Sequence, residues 1–252
     1  MQSKYFEINK AGLNIKCKSY YTDLSNVRNV VLYGHGFAGH KDNRAAERFA
    51  EKAIAKNKEI TVVVFDLPAH GSDIKKNLHI EDCREYIRTA VDYINEQYRE
   101  PKLFSYATSF GGYLVLDFLY TQGNPFTKIA LRSPAVDMYE IMMNTILTSE
   151  CIERLSKGKQ VLSGFDRKIR IDQTFIEELQ MNNIQKYDFT DFADDIIMFH
   201  GRKDEVVPLY RVEEFSEKNM LNLEIFERTD HRFQDMESMG RANKLAMEWF
   251  RF

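Results

Sequence analysis

The 252-residue chain contains no run of about 18 consecutive apolar residues, the length a bilayer-spanning helix requires, and Met1 to Glu7 lack the apolar stretch of a secretory signal. Cysteine is scarce. Cys17, Cys83 and Cys151 are odd in number, far apart and outside any metal-ligand spacing, so neither a disulfide framework nor a zinc site is expected. The remaining histidines His40, His79 and His200 are likewise scattered, and no metal and no cofactor are expected. Long blocks of one charge sign are missing too. The 35 basic and 38 acidic residues are interspersed and sum to a net charge of -3, which gives no electrostatic footprint for nucleic acid. Internal repeats and low-complexity tracts are absent.

What is present is ordinary globular material, 44% hydrophobic and 29% charged, enough to bury a sizeable core. Residues 1–252 are expected to form one domain in a soluble, reducing compartment, the cytoplasm. Short apolar, β-branched runs alternate with amphipathic stretches, the pattern of a mostly parallel, doubly wound α/β sheet with helices on both faces. Tyr5 to Ile8 and Leu13 to Tyr20 flank Ala11-Gly12 and predict a hairpin at an antiparallel N-terminal edge. Buried strands are predicted at Val27 to Tyr33, Ile60 to Phe65, Lys102 to Thr108, Lys128 to Arg132, Asp195 to His200 and Leu223 to Phe226. Helices are predicted at Asn43 to Lys56, Ile80 to Tyr98, Gly111 to Tyr120, Pro208 to Asn219 and Gln234 to Phe250. From about 137 to 190 this rhythm breaks. Helical patterns at Tyr139 to Leu147 and Gln173 to Met181 have no convincing strand between them, which predicts a small helical cap insertion.

The most informative segment is Phe104-Ser105-Tyr106-Ala107-Thr108-Ser109-Phe110-Gly111-Gly112, a strand running through a serine into a helix. A serine on a sharp strand-to-helix turn needs small neighbours, because larger ones collide with the adjacent strand and helix, and the helix N-terminus favours developing negative charge. Ala107 and Gly111 meet that demand. A serine hydroxyl is barely ionised at neutral pH, so a nucleophilic Ser109 also needs a base and an acid that orients it. The alternative for Ser109 is a plain helix cap.

The pentapeptide Ala107-Thr108-Ser109-Phe110-Gly111 resembles the Gly-x-Ser-x-Gly of the α/β-hydrolase family, with alanine at the first glycine. The resemblance spans nearly the whole chain in motif order. It implies that Asp204, in His200-Gly201-Arg202-Lys203-Asp204, is the triad acid and that His231, in Thr229-Asp230-His231, is the general base. It also implies that Gly34-His35-Gly36-Phe37 supplies an oxyanion loop, with donors at the amides of Phe37 and Phe110. Asp66-Leu67-Pro68-Ala69-His70-Gly71-Ser72 is similar to another loop of the family and reads as supporting architecture, with His70 at a turn near the rim. The segment Arg170 to Leu179 resembles capped bacterial esterases of the feruloyl and cinnamoyl type, in which an aspartate after the strand preceding the cap meets the aromatic acid. Asp137 matches it.

The methionine-rich face of 137–147 either lines an acyl or aryl pocket or packs on the sheet. The expected activity is serine-dependent hydrolysis of small acyl or aryl carboxylic esters through an acyl-enzyme, with a small-molecule ester as the partner. Peptidase or thioesterase activity on the same triad, and a non-catalytic ligand-binding protein on this fold, are the alternatives. Oligomeric state is not written in these motifs.

Overall fold

A computed structural model describes residues 1–252 except 74, 75 and 166. The N-terminal hairpin forms as expected. β1 (Gln2–Lys10) and β2 (Leu13–Tyr21) pair antiparallel across Ala11 and Gly12, both in the left-handed region at φ 53° and 80°. There follow β3 (Asn29–Gly34), α1 (Arg44–Lys56), β4 (Ile60–Phe65), α2 (Ile80–Gln97), β5 (Lys102–Thr108), α3 (Phe110–Gln122) and β6 (Lys128–Arg132). After an insertion the series resumes with β9 (Ile196–Gly201), α7 (Leu209–Asn219), β10 (Asn222–Phe226) and α8 (Met236–Trp249).

The eight strands run β1-β2-β4-β3-β5-β6-β9-β10 across one sheet, antiparallel at β1/β2 and β2/β4 and parallel elsewhere. Central strands are covered on both faces, so they carry continuous apolar runs rather than alternation; all six residues of β4 are buried. On one face α1 and α8 pack over Tyr33, Phe104 and Tyr106. The buried positions of α1, Ala46, Phe49, Ala50, Ala53 and Ile54, recur at helical spacing, and Asn43 caps the helix by accepting from the Ala46 amide (2.8 Å). On the other face lie α2, α3 and α7. α3 is buried from Phe110 through Leu119; its one charged residue there, Asp117, accepts two hydrogen bonds from Arg84 (2.7 and 2.9 Å), which satisfies a carboxylate that would otherwise be costly to bury.

The insertion between β6 and β9 corrects one expectation. It does contain strands: after α4 (Met138–Ile141), a π-helical turn at Met142–Ile146 and α5 (Ser149–Ser156) come β7 (Val161–Ser163) and β8 (Ile169–Ile171), paired antiparallel, and then α6 (Gln173–Met181). Each strand has three residues, too few for an alternating period to register in the sequence, although both show an inner–outer–inner pattern of burial. The insertion shares the core of the α2/α3 face. Phe175 of α6 sits edge-on to Phe110 with ring centroids 6.3 Å apart, and Tyr113 donates to the Asn182 carbonyl (2.9 Å).

Candidate active site

Ser109 occupies the turn between β5 and α3 at φ 53°, ψ -120°, a strained left-handed conformation for a residue with a side chain. The turn closes only because its neighbours are small. A methyl on Gly111 would lie 2.6 Å from the His35 carbonyl oxygen, and one on Gly36 would lie 3.2 Å from Ser109 Cβ. Ala107, the departure from the usual pentapeptide, stands opposite Gly34 in the β3/β5 register, and a methyl at 34 would come 3.1 Å from Ala107 Cβ. The missing glycine of the elbow is thus offset by a glycine on the next strand.

Three sequence-selected side chains meet here from the ends of three strands. Ser109 Oγ lies 3.0 Å from His231 Nε2, and His231 Nδ1 lies 2.8 and 3.0 Å from the two carboxylate oxygens of Asp204. The side chain of Asp204 is fully buried and accepts two further bonds, from the amides of Val206 (2.9 Å) and Val207 (2.8 Å). Burial pushes its carboxyl up, but the hydrogen bond and charge of His231, the nearby His200 and the Val207 amide outweigh that and hold it below the ordinary carboxylate range. A carboxylate kept ionised there fixes His231 with its proton on Nδ1, leaving Nε2 to accept from the serine.

The loop 34–39 after β3 is organised by two buried histidines. Ala38 donates its amide to His70 Nε2 (3.0 Å), so His70 carries its proton on Nδ1 and donates to the Pro68 carbonyl (2.7 Å). Leu67 donates its amide to His35 Nε2 (3.3 Å), and His35 Nδ1 donates to the Gly36 carbonyl (3.0 Å). Burial drives both imidazoles down, His35 to about 4 and His70 to about 3, so both are neutral. Gly39 donates its amide to Gly36 O (2.9 Å). Among the described residues, the loop amides of Ala38 and Gly39 are engaged internally and that of Phe37 is not. The Phe37 and Phe110 rings meet edge to face at 5.8 Å. Gly34, Gly36 and Gly39 also fit the spacing of a dinucleotide loop, but α1 begins only at Arg44, so no helix N-terminus stands at these glycines to receive a pyrophosphate.

A cavity of about 440 Å³ opens against Ser109, His231, Gly36 and Phe37. Met138, Ile141 and Ile146 of the insertion give it an apolar wall, and Phe165, Arg167, Glu205 and Arg232 form a mixed one. Clefts of similar size beside α5 and β7 (about 420 Å³) and between α2 and α3 (about 490 Å³) contain none of these residues. Asp137 is not brought to the cavity wall. It is nearly buried, directly before α4, with its carboxylate 3.7 Å from Arg211.

Several supporting contacts escaped the sequence reading. His200 is buried beneath Asp204, its Nε2 donating to the Val207 carbonyl (3.0 Å) and lying 3.4 Å from Asp204 Oδ2. Asp66 ties Lys41 to the 66–72 loop, accepting from the Lys41 amide (2.7 Å), Lys41 Nζ (3.0 Å) and the Ser72 amide (3.2 Å). Asp66 and His200 lie in segments already singled out in the sequence, but the contacts they make are visible only in the fold. Among the described residues, no group of three or more histidine, cysteine, aspartate or glutamate side chains could hold a metal, and no helix is long and apolar enough to cross a membrane.

Comparison with known proteins agrees with this geometry at the level of fold. The family model of serine aminopeptidases, S33, a group of hydrolases, matches residues 25–180. No curated protein sequence matches the chain. Among solved structures, Est1E from Butyrivibrio proteoclasticus with ferulic acid bound superposes with a TM-score of 0.74 at 15% identity, covering 98% of this chain and 100% of that one. The esterase domain of a Rhodothermus marinus protein gives 0.72 at 18% identity, covering 100% and 98%, and the Pyrococcus furiosus esterase Pf2001 gives 0.69 at 16%, covering 99% and 92%. The shared architecture is the α/β-hydrolase fold.

Proposed function

We propose, from the premise that the chain belongs to the serine aminopeptidase S33 family of α/β hydrolases, that it is a serine-dependent hydrolase of small acyl or aryl carboxylic esters. The observation that carries this reading is the unbroken relay Ser109–His231–Asp204, at 3.0 and 2.8 Å, opening on a cavity with an apolar wall. In the proposed cycle His231 Nε2 takes the Ser109 proton as Oγ attacks the ester carbonyl, and Asp204 stabilises the imidazolium that forms. The amides of Phe37 and Phe110 receive the oxyanion; a donor of this kind lowers barriers by roughly 3 kcal/mol in other enzymes. His231 then protonates the leaving alcohol, and a water activated by the same histidine releases the acid. Asp137 is the proposed contact to an aromatic acid moiety, a role that requires its carboxylate to leave Arg211 and reach the cavity, whose wall it does not line here.

The test is labelling by a fluorophosphonate together with hydrolysis of p-nitrophenyl esters. Ser109 forms the adduct, and Ser109→Ala abolishes both labelling and turnover while Tm stays within a few degrees, because the hydroxyl contributes little packing. An unlabelled wild-type protein would leave a ligand-binding role on this fold. The family description favours one second reading, aminopeptidase activity. Aminoacyl amides cleaved faster than matched esters would replace esterase by peptidase, and faster cleavage of acyl-CoA would replace it by thioesterase.

A further inference from the structure

The C-terminal end of β6 touches both the nucleophile and the base while supplying no reacting atom. Arg132 closes the strand: its carbonyl accepts from the Ser109 amide (3.0 Å), and its guanidinium donates to Thr108 Oγ1 (3.3 Å) and lies over the Phe233 ring (5.6 Å). The next residue, Ser133, is fully buried. Its amide donates to the Phe199 carbonyl of β9 (2.8 Å), and its hydroxyl donates to the carbonyl of His231 (3.1 Å). Among the described residues, the one other polar contact of the His231 main chain is long, from its amide to Glu205 Oε2 at 3.5 Å.

Ser133 also has φ 44°, a left-handed conformation that glycine adopts without strain and serine does not. A residue held there against its preference needs a reason, and the hydroxyl on His231 is the contribution glycine could not make. We infer that Ser133 is a positioning residue: its hydroxyl anchors the main chain of His231 to the strand end that also holds Ser109, and so sets the distance between Nε2 and the serine oxygen. Asp204 orients the ring; Ser133 locates the backbone that carries it. The inference rests on the reading of Ser109, His231 and Asp204 as the catalytic relay.

The hydroxyl can be removed in two ways that pull stability apart. Ser133→Gly relieves the left-handed backbone, whereas Ser133→Ala keeps it strained, so Tm of the glycine variant exceeds that of the alanine variant. Both variants are expected to lose about five- to tenfold in kcat and in the rate of fluorophosphonate labelling of Ser109, the equivalent of one hydrogen bond, with KM within about twofold of wild type. Full activity in the glycine variant, or activity that follows Tm from one variant to the other, would overturn the assignment, since a merely structural serine predicts that pattern. Ser109→Ala in the same series separates the two readings. If Ser109 labels normally but both Ser133 variants match wild type, the positioning role fails and the catalytic relay stands; if wild-type Ser109 does not label, both fall.

Discussion

The serine turn depends on a pair of single-methyl decisions, one on each side of it. At 111 a methyl would press on the His35 carbonyl at 2.6 Å, and the flanking Gly34 backbone lies at 2.9 Å, with no flexible atom to yield. Gly111→Ala should therefore destabilise the protein by about 2 kcal/mol through overpacking and shift the oxyanion loop, lowering kcat; urea unfolding and ester turnover measure the two effects. Ala107→Gly restores the more usual pentapeptide but removes a methyl that already fits against Gly34, so it should retain activity and cost about 1 kcal/mol of stability, as glycine does within a strand. The alanine was visible in the sequence as a departure. Its compensation was not, because Gly34 becomes its neighbour only through the register of β3 on β5. Ser133 and the Asp66–Lys41 pair were hidden for the same reason, since each is defined by a partner from a distant segment, whereas His200 has its partners nearby, at Asp204 and Val207, and was hidden because nothing in the loop's sequence shows that it folds back on the ring. Ser109, Asp204 and His231 were legible because each sits in a recognisable local context, after a strand and in a fixed order.

Helices and central strands were read well because ten or more periodic residues, or a run of five or six apolar ones, carry a signal above local noise. The boundaries moved by one or two residues; the helix expected from Gly111 starts at Phe110, and the strand expected from Val27 starts at Asn29. The β7–β8 hairpin was invisible at three residues per strand, yet it bears on the cavity, since the connecting loop contributes Phe165 and Arg167 to the wall. That loop leaves β7 through Gly164 at φ 135°, where a methyl would lie 2.3 Å from the Arg167 carbonyl oxygen. Gly164→Ala should displace the loop and alter hydrolysis of bulky aryl esters several-fold more than hydrolysis of acetate esters, whose short acyl group does not reach it. Equal effects on both substrates would mean that the hairpin does not shape the substrate pocket. The methionine-rich stretch divides in the same way by position: Met138 and Ile141 reach the cavity, while Met142 is buried in the core.

For the molecule as a whole, His35 and His70, the neutral histidines that organise the loop 34–39, link stability to pH. Their ordinary value is 6.5, and in the folded protein they sit at about 4 and about 3, driven there chiefly by burial. Above pH 6.5 neither state binds these protons and stability is complete. As pH falls through 6.5 the unfolded chain takes up protons that the folded chain refuses, so stability drops, and it continues to drop until the folded-state values are reached. Each histidine contributes a slope of roughly 1.4 kcal/mol per pH unit in that window. Denaturation midpoints measured from pH 7 to 4.5 should therefore fall steeply with acid, and His70→Gln should flatten the slope; a wild-type midpoint unchanged across that range would contradict the burial of both rings.

Ser109 and His231 lie 122 positions apart in sequence, and the strands that deliver them, β5 and β10, are separated in the sheet by β6 and β9. Contacts of such separation close slowly, since loop entropy must be overcome before they are rewarded. During refolding, α1, α2 and the N-terminal hairpin can form from neighbouring residues, but the serine acquires its base only after β9 has docked on β6 and β10 on β9. Fluorophosphonate reactivity is then a clock for the final pairing events. It should return after the helical circular dichroism signal, and a nascent chain still emerging from the ribosome would remain chemically silent until β10 and His231 are free to dock.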